Sequence, residues 1–261
     1  MAFTVHAVMP GVWHIVDCMG VCMTLLEGEN AAMLVDTGYG IEDVADFMRH
    51  MTDLPLTVFL THNHHDHAMG ARCFPETYML EADMADWRMF TDDKMRRRVL
   101  TQAIGKNLPV DEKTFLAGEI PLPKVMKPGV IDLGGLTAEI IEAPGHTPGS
   151  AVVYVPERKL LLSGDDWNPC TWLFFPQALG LREYRSNMRG IQQLPFEKVL
   201  CPHREALYER WMFDDFFNAL TDGNLRAAEP VNIAPYEQID TCQATLPHDQ
   251  VLVFDWAKSG L

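Results

Sequence analysis

The stretch THNHHDHAMG, residues 61–70, follows the apolar run LTVFL and places four histidines and one aspartate within ten residues. Imidazole nitrogens and carboxylate oxygens are ligands that zinc and similar divalent cations accept. His62 and His64 are two residues apart, so an extended backbone would project both rings to the same side. Asp66 and His67 follow where the chain can turn back toward that side. This spacing predicts a metal site at the end of a strand.

Three later segments share one arrangement, in which a His or Asp follows an apolar strand and is flanked by turn residues. They are EAPGHTPGS with His146, KLLLSGDDW with Asp165 and KVLCPHRE with His203. Glycine and proline fix an irregular backbone in such turns and expose the side chain between them. One short motif does not complete a metal site by itself, so these three residues are the candidates for the remaining ligands.

The elements that would position these ligands are short strands and helices. Apolar runs predict strands at VWHIVD, VCMTLLE, AAMLVD and LTVFL, and later at VIDL, LTAEIIEA, AVVYV, KLLLSG, KVLC and VLVFD. Apolar residues at helical spacing predict helices over 41–51, 81–107, 181–194 and 205–226. Strands and helices in both halves of the chain predict two sheets packed together with helices outside.

Taken together, the motifs resemble those of the metallo-β-lactamase-fold hydrolases, whose mark is H-x-H-x-D-H followed by a separate His, Asp and His. The resemblance extends from LVDTG, which contains Asp36, to His203, about two thirds of the chain. It implies an α/β fold, the αββα sandwich of two mixed sheets with helices on the outer faces. We expect a single domain over residues 1–261, with a helical and strand extension from about residue 205.

The resemblance also implies a dinuclear centre of two divalent cations, with zinc favoured and iron or manganese as alternatives. The resemblance assigns His62, His64 and His146 to the first cation. It assigns Asp66, His67 and His203 to the second cation, and Asp165 to both. Asp36 would orient ligands from behind, and His65 occupies a variable position outside the site. A water shared by two cations becomes a hydroxide near neutral pH, and Asp66 would orient it, which implies hydrolysis.

An aromatic segment after Asp165 is the main indication about the substrate. Its candidates for an apolar pocket are Trp167, Trp172, Phe174, Phe175 and Tyr184. Such a pocket suits an uncharged ester, lactone or thioester with a hydrophobic part. Alternatively, the segment packs into the core or into a homodimer contact. Phosphodiester hydrolysis and a non-haem iron oxidoreductase are rival functions, because His and carboxylate ligands also suit iron.

Charge and composition limit the other partners. The net charge of -15 disfavours nucleic acid, whose phosphates it would repel. The basic run KMRRR at 94–98 is interpreted as a solvated helix face. No apolar stretch approaches the ~20 residues of a membrane helix. Six scattered cysteines without an export signal predict reduced thiols in the cytoplasm. We therefore expect a cytoplasmic enzyme with a small-molecule substrate, and no membrane or nucleic-acid partner.

Overall fold

Seven strands from the first half of the chain form a sheet in which neighbours in sequence are also neighbours in space. The structure is a computed structural model that describes residues 3–261. The strands are β1 (Thr4–Met9), β2 (Val12–Val16), β3 (Cys22–Glu27), β4 (Ala32–Val35), β5 (Leu56–Phe59), β6 (Tyr78–Met79) and β7 (Lys124–Val125). Pairing is antiparallel from β1 to β4 and parallel from β4 to β7. The carboxyl ends of β4 and β5 therefore meet at one sheet edge.

The second half of the chain builds two further sheets. Its strands are β8 (Gly129–Asp132), β9 (Thr137–Glu142), β10 (Ala151–Val155), β11 (Leu160–Leu162), β12 (Cys170–Leu173), β13 (Lys198–Leu200), β14 (Tyr208–Glu209), β15 (Glu229–Pro230), β16 (Thr241–Leu246) and β17 (Gln250–Asp255). The second sheet has the order β14-β13-β11-β10-β9-β8, and the third has the order β12-β17-β16-β15. In the third sheet, β12 pairs in parallel with β17, so a strand from the middle of the chain rests on one near its end.

Helices cover the outer faces of the first two sheets. They are α1 (Val44–Met51), α2 (His65–Ala68), α3 (Trp87–Thr91), α4 (Asp93–Gly105), α5 (Glu112–Phe115), α6 (Leu181–Gln192), α7 (Arg210–Ala219) and α8 (Asp222–Arg226). Aspartates start α1 and α4, where the Asp43 and Asp92 side chains accept hydrogen bonds from backbone N–H groups in the first turn. None of the helices in residues 3–261 has the length and apolarity that a bilayer crossing requires.

The strand AVVYV shows how the core is divided. All five residues of β10 are buried, because both faces of the second sheet are covered. Ala151, Val153 and Val155 pack in the apolar cluster between the two large sheets. Val152 and Tyr154 point the other way, into a cluster with α6, α7 and the third sheet. The alternation of side chains along one strand thus joins the middle and outer layers of the sandwich.

The structure confirms the predicted αββα sandwich and adds elements that were not predicted. The third sheet and β1 were not expected. The helix predicted over 205–226 is a short strand followed by α7 and α8, because Thr221 caps a new helix start by accepting a hydrogen bond from Asn224 N. Similarly, the helix predicted over 81–107 divides at Asp92, the N-cap of α4. The domain boundaries stay a prediction.

The basic run at 94–98 is not a uniform solvated face, which corrects the sequence interpretation. Arg96 is 1% exposed, and its guanidinium donates hydrogen bonds to the carbonyls of Phe115, Ala117 and Gly118. The last carbonyl oxygens of a helix lack partners within it, and Arg96 supplies donors to the carbonyl of Phe115 at the end of α5 and to those of Ala117 and Gly118 just after it. Arg98, by contrast, faces the cavity described below.

Candidate metal centre

The segments that carry the predicted metal ligands all leave the carboxyl ends of strands. His62 and His64 lie just after β5, while Asp66 and His67 lie on the short helix α2. The other three follow strands of the second sheet: His146 lies after β9, Asp165 in a turn after β11, and His203 after β13. Because β11 and β13 are parallel, their ligands emerge at the same edge.

The structure brings all seven predicted ligands together. Three groups have donor atoms within 4.8 Å of one another: His62, His64 and His146; His62, His67 and Asp165; and Asp66, His67 and His203. Asp165 is central, because its Oδ2 lies 3.1 Å from His203 Nε2 and 3.5 Å from both His67 Nε2 and His146 Nε2. A carboxylate in this position can contact both of two neighbouring cations, as the sequence resemblance implies.

The hydrogen-bond partners of the histidines are arranged for metal binding. His67 Nδ1 contacts Asp36 Oδ2 at 3.0 Å, and His146 Nδ1 contacts the carbonyl of Trp172 at 2.7 Å. Partners of this kind fix the tautomer and leave the opposite nitrogen free to bind a cation. In the part of the chain that the structure describes, the buried atoms His62 Nε2, His67 Nε2 and Asp165 Oδ1 have no hydrogen-bond partner. Buried polar atoms are normally satisfied, so these donors fit a cation.

The histidines of the cluster fall into two groups that differ in the direction of their pKa shift. Burial lowers the pKa of His62, His64 and His146, which keeps these rings neutral. Burial acts the same way on His67 and His203, but the Asp165 and Asp66 carboxylates outweigh it and raise their pKa.

The two carboxylates of the cluster are charged. Burial would raise the pKa of both groups, but nearby histidines outweigh it: His67 lowers the pKa of Asp66 to about 2, and His203 and His67 hold the pKa of Asp165 well below its usual range. The centre thus combines the neutral imidazoles of His62, His64 and His146 with anionic oxygens, and these are donors that divalent transition metals accept.

Asp36 acts from behind the ligands. It lies directly after β4 with φ 65°, and its side chain is buried. Oδ1 accepts a hydrogen bond from Thr61 N at 2.7 Å, while Oδ2 contacts His67 Nδ1. Asp36 therefore joins the loop before His62 to the ring of His67, as the sequence resemblance implies. Aspartate adopts a positive φ more readily than most residues, which suits this position.

The motif GHTPGS follows a path that two glycines permit. A Cβ at Gly145 would lie 2.4 Å from the Tyr184 ring, and a Cβ at Gly149 would lie 2.6 Å from Asp83 N. Asp83 is buried, and it accepts hydrogen bonds from Gly149 N at 2.6 Å, Thr147 Oγ1 at 2.7 Å and Asn63 N at 3.1 Å. This one carboxylate therefore ties the His62–His64 loop to the His146 loop.

A cavity of about 460 Å³ opens beside the ligands. The cavity is lined by the candidate ligands His64, Asp66, His146, Asp165 and His203, and also by Tyr39, His65, Phe90, Arg98, Gln102, Asn168, Cys170, Trp172, Phe175, Arg204, Ala234 and Tyr236. His65 contributes to the wall, but no group of candidate donor atoms includes it.

The aromatic segment divides between the cavity and the core, which corrects the predicted pocket. Trp172 and Phe175 line the cavity. Phe174 is fully buried and stacks against Phe175, with ring centroids 4.7 Å apart. Trp167 and Tyr184 are buried in the cluster outside the second sheet. Trp167 lies before β12 and packs against Phe213, and Tyr184 lies on α6 and packs against Phe217. Phe174 follows β12 and is covered by Phe175 and Tyr236.

Sequence reasoning missed several residues of the site. Gln177 lies 2.6 Å from His64 Nε2, and Tyr39 packs edge-on against His65 with ring centroids 5.5 Å apart. Arg98 and Tyr236 enter the cavity wall from α4 and from the segment before β16. No motif marks these residues, because their positions depend on contacts between distant segments. For Tyr39, the one indication in the sequence that it belongs to the site was its position three residues after Asp36.

Comparison with known proteins assigns the class. Residues 16–203 match the family described as the metallo-beta-lactamase superfamily, and the chain belongs to this superfamily. The matched region begins at the end of β2 and ends at His203, so it contains every candidate ligand.

Three similar proteins illustrate the range of the superfamily. The acyl-coenzyme A thioesterase MBLAC2 of Gallus gallus is 26% identical over 202 residues, covering 69% of this chain and 70% of the relative. The metallo-beta-lactamase FIM-1 from Pseudomonas aeruginosa, solved in a mono-zinc form, is 16% identical with a TM-score of 0.58, covering 82% of this chain and 92% of the other. The protein TTHA1623, solved in a di-iron-bound form, is 20% identical with a TM-score of 0.51, covering 74% and 92%.

Proposed function

We propose that this protein is a metal-dependent hydrolase that cleaves thioesters or carboxylic esters with an apolar acyl group. The observation that carries the proposal is the position of Asp165, whose Oδ2 lies within 4.0 Å of four candidate histidine ligands at the base of a cavity. His62, His64 and His146 would hold one cation, and Asp66, His67 and His203 the second, with Asp165 shared. When bound, divalent cations supply an acidified water and a Lewis acid for a carbonyl oxygen. We propose zinc, with iron or manganese as alternatives.

The protein's own groups determine how a substrate is placed. Asp66 is charged and lines the cavity, so it can accept a hydrogen bond from an attacking water and orient it. Burial and the nearby carboxylates raise the pKa of Tyr39, which therefore stays protonated at neutral pH. Its phenol lines the same cavity and is the candidate to donate a hydrogen bond to the departing group.

The cavity wall supports an acyl substrate. Phe90 and Phe175 pack beside His64, with ring centroids at 4.4 Å and 4.7 Å, and Trp172 continues this surface. An apolar chain placed on these rings would bring its carbonyl to the ligands. The similarity to an acyl-coenzyme A thioesterase agrees with this choice but supports it only weakly at 26% identity.

A substrate panel tests the proposal. The metal-loaded protein is assayed with octanoyl-coenzyme A, p-nitrophenyl octanoate, an aliphatic lactone and bis(p-nitrophenyl) phosphate, beside Asp165→Ala. We expect cleavage of the thioester or the ester and loss of that activity in the variant. Cleavage of the phosphodiester alone, or equal activity of the variant, contradicts the proposal.

A second candidate is a non-haem iron oxidoreductase. Two of the donor groups each combine two histidines with one carboxylate, which is the set that mononuclear non-haem iron enzymes use. A structural neighbour in a di-iron-bound form also accommodates iron. Metal analysis of protein purified without added metal, combined with oxygen-uptake measurements, distinguishes the candidates. Iron together with substrate-dependent oxygen consumption favours the oxidoreductase.

A further inference from the structure

The cavity has two chemically different sides. The apolar side consists of Phe90, Trp172, Phe175 and Tyr236. Phe175 lies beside His64 and His146, with ring centroids 4.7 Å and 5.4 Å away, and Tyr236 packs edge-on against Phe175 at 5.4 Å. The apolar side is therefore next to the ligands of the first cation.

The other side of the cavity carries two arginines. Arg204 directly follows His203, a ligand of the second cation, and both residues line the cavity. Arg98 projects from α4 and lines the cavity together with Tyr39 and His65. His65 is in turn beside Asp66, with His65 Nδ1 3.7 Å from Asp66 Oδ1. The cationic side is therefore next to the ligands of the second cation.

These arginines are not used in ion pairs. Within residues 3–261, no carboxylate lies within 4.0 Å of a nitrogen of either guanidinium. Five other arginines do have such a partner: Arg49, Arg88, Arg96, Arg185 and Arg210. Six further arginines in the described residues also lack one, so the position in the cavity wall is what distinguishes Arg98 and Arg204.

The backbone that carries Arg204 is also held in place. Its carbonyl contacts His14 Nε2 at 3.1 Å, and its Nη1 donates a hydrogen bond to the carbonyl of His203 at 2.8 Å. Arg204 thus places a cation in the cavity wall of a protein whose net charge is -15. Guanidinium groups bind phosphate and carboxylate through paired hydrogen bonds, so two of them in one cavity indicate an anionic ligand.

We propose that Arg98 and Arg204 bind an anionic group, phosphate or carboxylate, on the leaving half of the substrate. This inference rests on the proposed function and makes its substrate class more specific: an acyl thioester or ester whose apolar acyl chain lies on the aromatic side. Hydrolysis of such a substrate breaks the bond between the acyl carbon and the sulfur or oxygen. Water supplies the hydroxyl of the new carboxylic acid and the proton of the released anionic thiol or alcohol.

Kinetic comparison tests the proposal with one acyl group on three carriers. The substrates are octanoyl-coenzyme A, which carries phosphates, S-octanoyl-glutathione, which carries carboxylates, and neutral octanoyl-N-acetylcysteamine. Arg98→Gln and Arg204→Gln should each raise KM for one or both anionic thioesters roughly 10-fold, the loss expected for a charged hydrogen bond. The change for the neutral thioester should be several-fold smaller. The carrier that responds identifies phosphate or carboxylate as the bound group.

Arg97→Gln is the matched control, because Arg97 is an exposed neighbour on α4 that does not line the cavity. Its KM for all three substrates should equal that of the wild type. Equal losses on neutral and anionic carriers, or no loss in R98Q and R204Q, overturn the proposal.

A binding measurement separates failure of this inference from failure of the proposed function. The non-hydrolysable thioethers S-octyl-coenzyme A and S-octyl-glutathione are titrated calorimetrically into the metal-loaded wild type and the R98Q/R204Q variant. At least a 10-fold weaker affinity of the variant for one of them supports the anion site, even if no thioester is cleaved. Equal affinity of wild type and variant for both overturns it.

Discussion

Gln177 holds His64 from outside the candidate metal centre. Its amide Nε2 lies 2.6 Å from His64 Nε2, while Gln177 Oε1 is buried without a hydrogen-bond partner among the described residues. If His64 binds a cation through Nδ1, its proton is on Nε2 and requires an acceptor, so we assign the amide oxygen of Gln177 to the position that faces His64. This hydrogen bond leaves His64 Nδ1 unprotonated and directed toward His146 Nε2, 2.9 Å away.

Gln177→Leu should weaken metal binding, because the tautomer and orientation of His64 would no longer be fixed. Loss of such a partner typically lowers metal affinity about 10- to 100-fold. Competition with a chromogenic chelator measures this change. Gln177→Glu, which keeps an acceptor, should lose less. Gln193→Leu, at an exposed glutamine after α6, is the control. Unchanged affinity in Q177L would contradict the role assigned to Gln177.

Asp165→Ala should reduce binding of both cations, since its Oδ2 is close to histidines of both groups. Elemental analysis of the wild type is expected to give about two divalent ions per chain, as in two-metal hydrolytic centres. His65→Ala is the matched control: this ring also lines the cavity, but it is outside the donor groups. The same metal loss in D165A and H65A would show that the ligand assignment is wrong.

At the scale of elements, β12 connects the ligands to the aromatic side of the cavity. The backbone carbonyl of Trp172 contacts His146 Nδ1, while its side chain is 38% exposed and lines the cavity. Trp167, before the same strand, has its ring in the core and donates a hydrogen bond to Gln250 Oε1 at 3.2 Å. The two tryptophans therefore occupy different environments, one in the cavity wall and the other in the core.

Trp172→Ala should lower kcat/KM most for the longest acyl chains. A lost apolar contact of ~1–3 kcal/mol corresponds to about a 10- to 200-fold effect. Metal content and Tm should change little, because the carbonyl remains and the ring is partly exposed. A kinetic series with acetyl, butanoyl and octanoyl thioesters measures the chain-length dependence.

Two other tryptophans provide control variants for this experiment. Trp211→Ala removes a ring that is 49% exposed and outside the cavity, so activity should not change. Trp167→Ala removes a buried ring and should cost about 3–5 kcal/mol of stability, with activity falling on all substrates alike. If W172A behaves like W167A, the Trp172 ring is part of the core and does not contact substrate.

The sequence predicts those site residues whose positions are determined by neighbouring residues in the chain, and it does not predict those that are placed by contacts between distant segments. His62, His64, Asp66 and His67 lie in one motif after an apolar strand, so their convergence followed from spacing. His146, Asp165 and His203 also carried local signals, the turn residues that follow each strand. Gln177, Arg98 and Tyr236 reach the cavity only through the packing of distant elements, and no periodicity records that. The third sheet was missed for the same reason, since β12 and β17 are separated by most of the last hundred residues.

At the scale of the whole molecule, the protein's stability and its metal binding should both depend on pH, because the candidate ligands are titratable groups. In the metal-free protein, His67 and His203 have a pKa raised above 6.5, so their contribution to stability is complete below that pH. It is lost as the pH rises through their pKa in the folded protein. Asp66 and Asp165 have a lowered pKa, so their contribution is present above pH 3.8 and lost as the pH falls through their pKa in the folded protein. Both contributions are present between these values, whereas the lowered pKa of His62, His64 and His146 acts in the opposite sense and costs stability as the pH falls below 6.5.

The stabilisation given by metal should increase as the pH rises from about 5.5 to 8, because cations bind neutral imidazoles and displace their protons. The difference in Tm between protein with excess zinc and protein with chelator measures it at each pH. In D165A this difference should be small throughout. A wild-type difference that does not vary with pH would contradict the assignment of His67 and His203 as ligands.

The candidate ligands and part of the cavity wall come from different parts of the chain, because β12 pairs with β17 near its end. All seven candidate ligands lie at or before His203. On the aromatic side of the cavity, Trp172 lies on β12, which pairs with β17, and Tyr236 lies in the segment before β16. Changes in the last fifty or so residues can therefore alter the cavity wall at Tyr236 and the strand beside Trp172 while the candidate ligands stay the same. Chimaeras joined just after His203 would replace Tyr236 and the strand that pairs with β12, while all seven candidate ligands and the rings of Phe90, Trp172 and Phe175 stay the same.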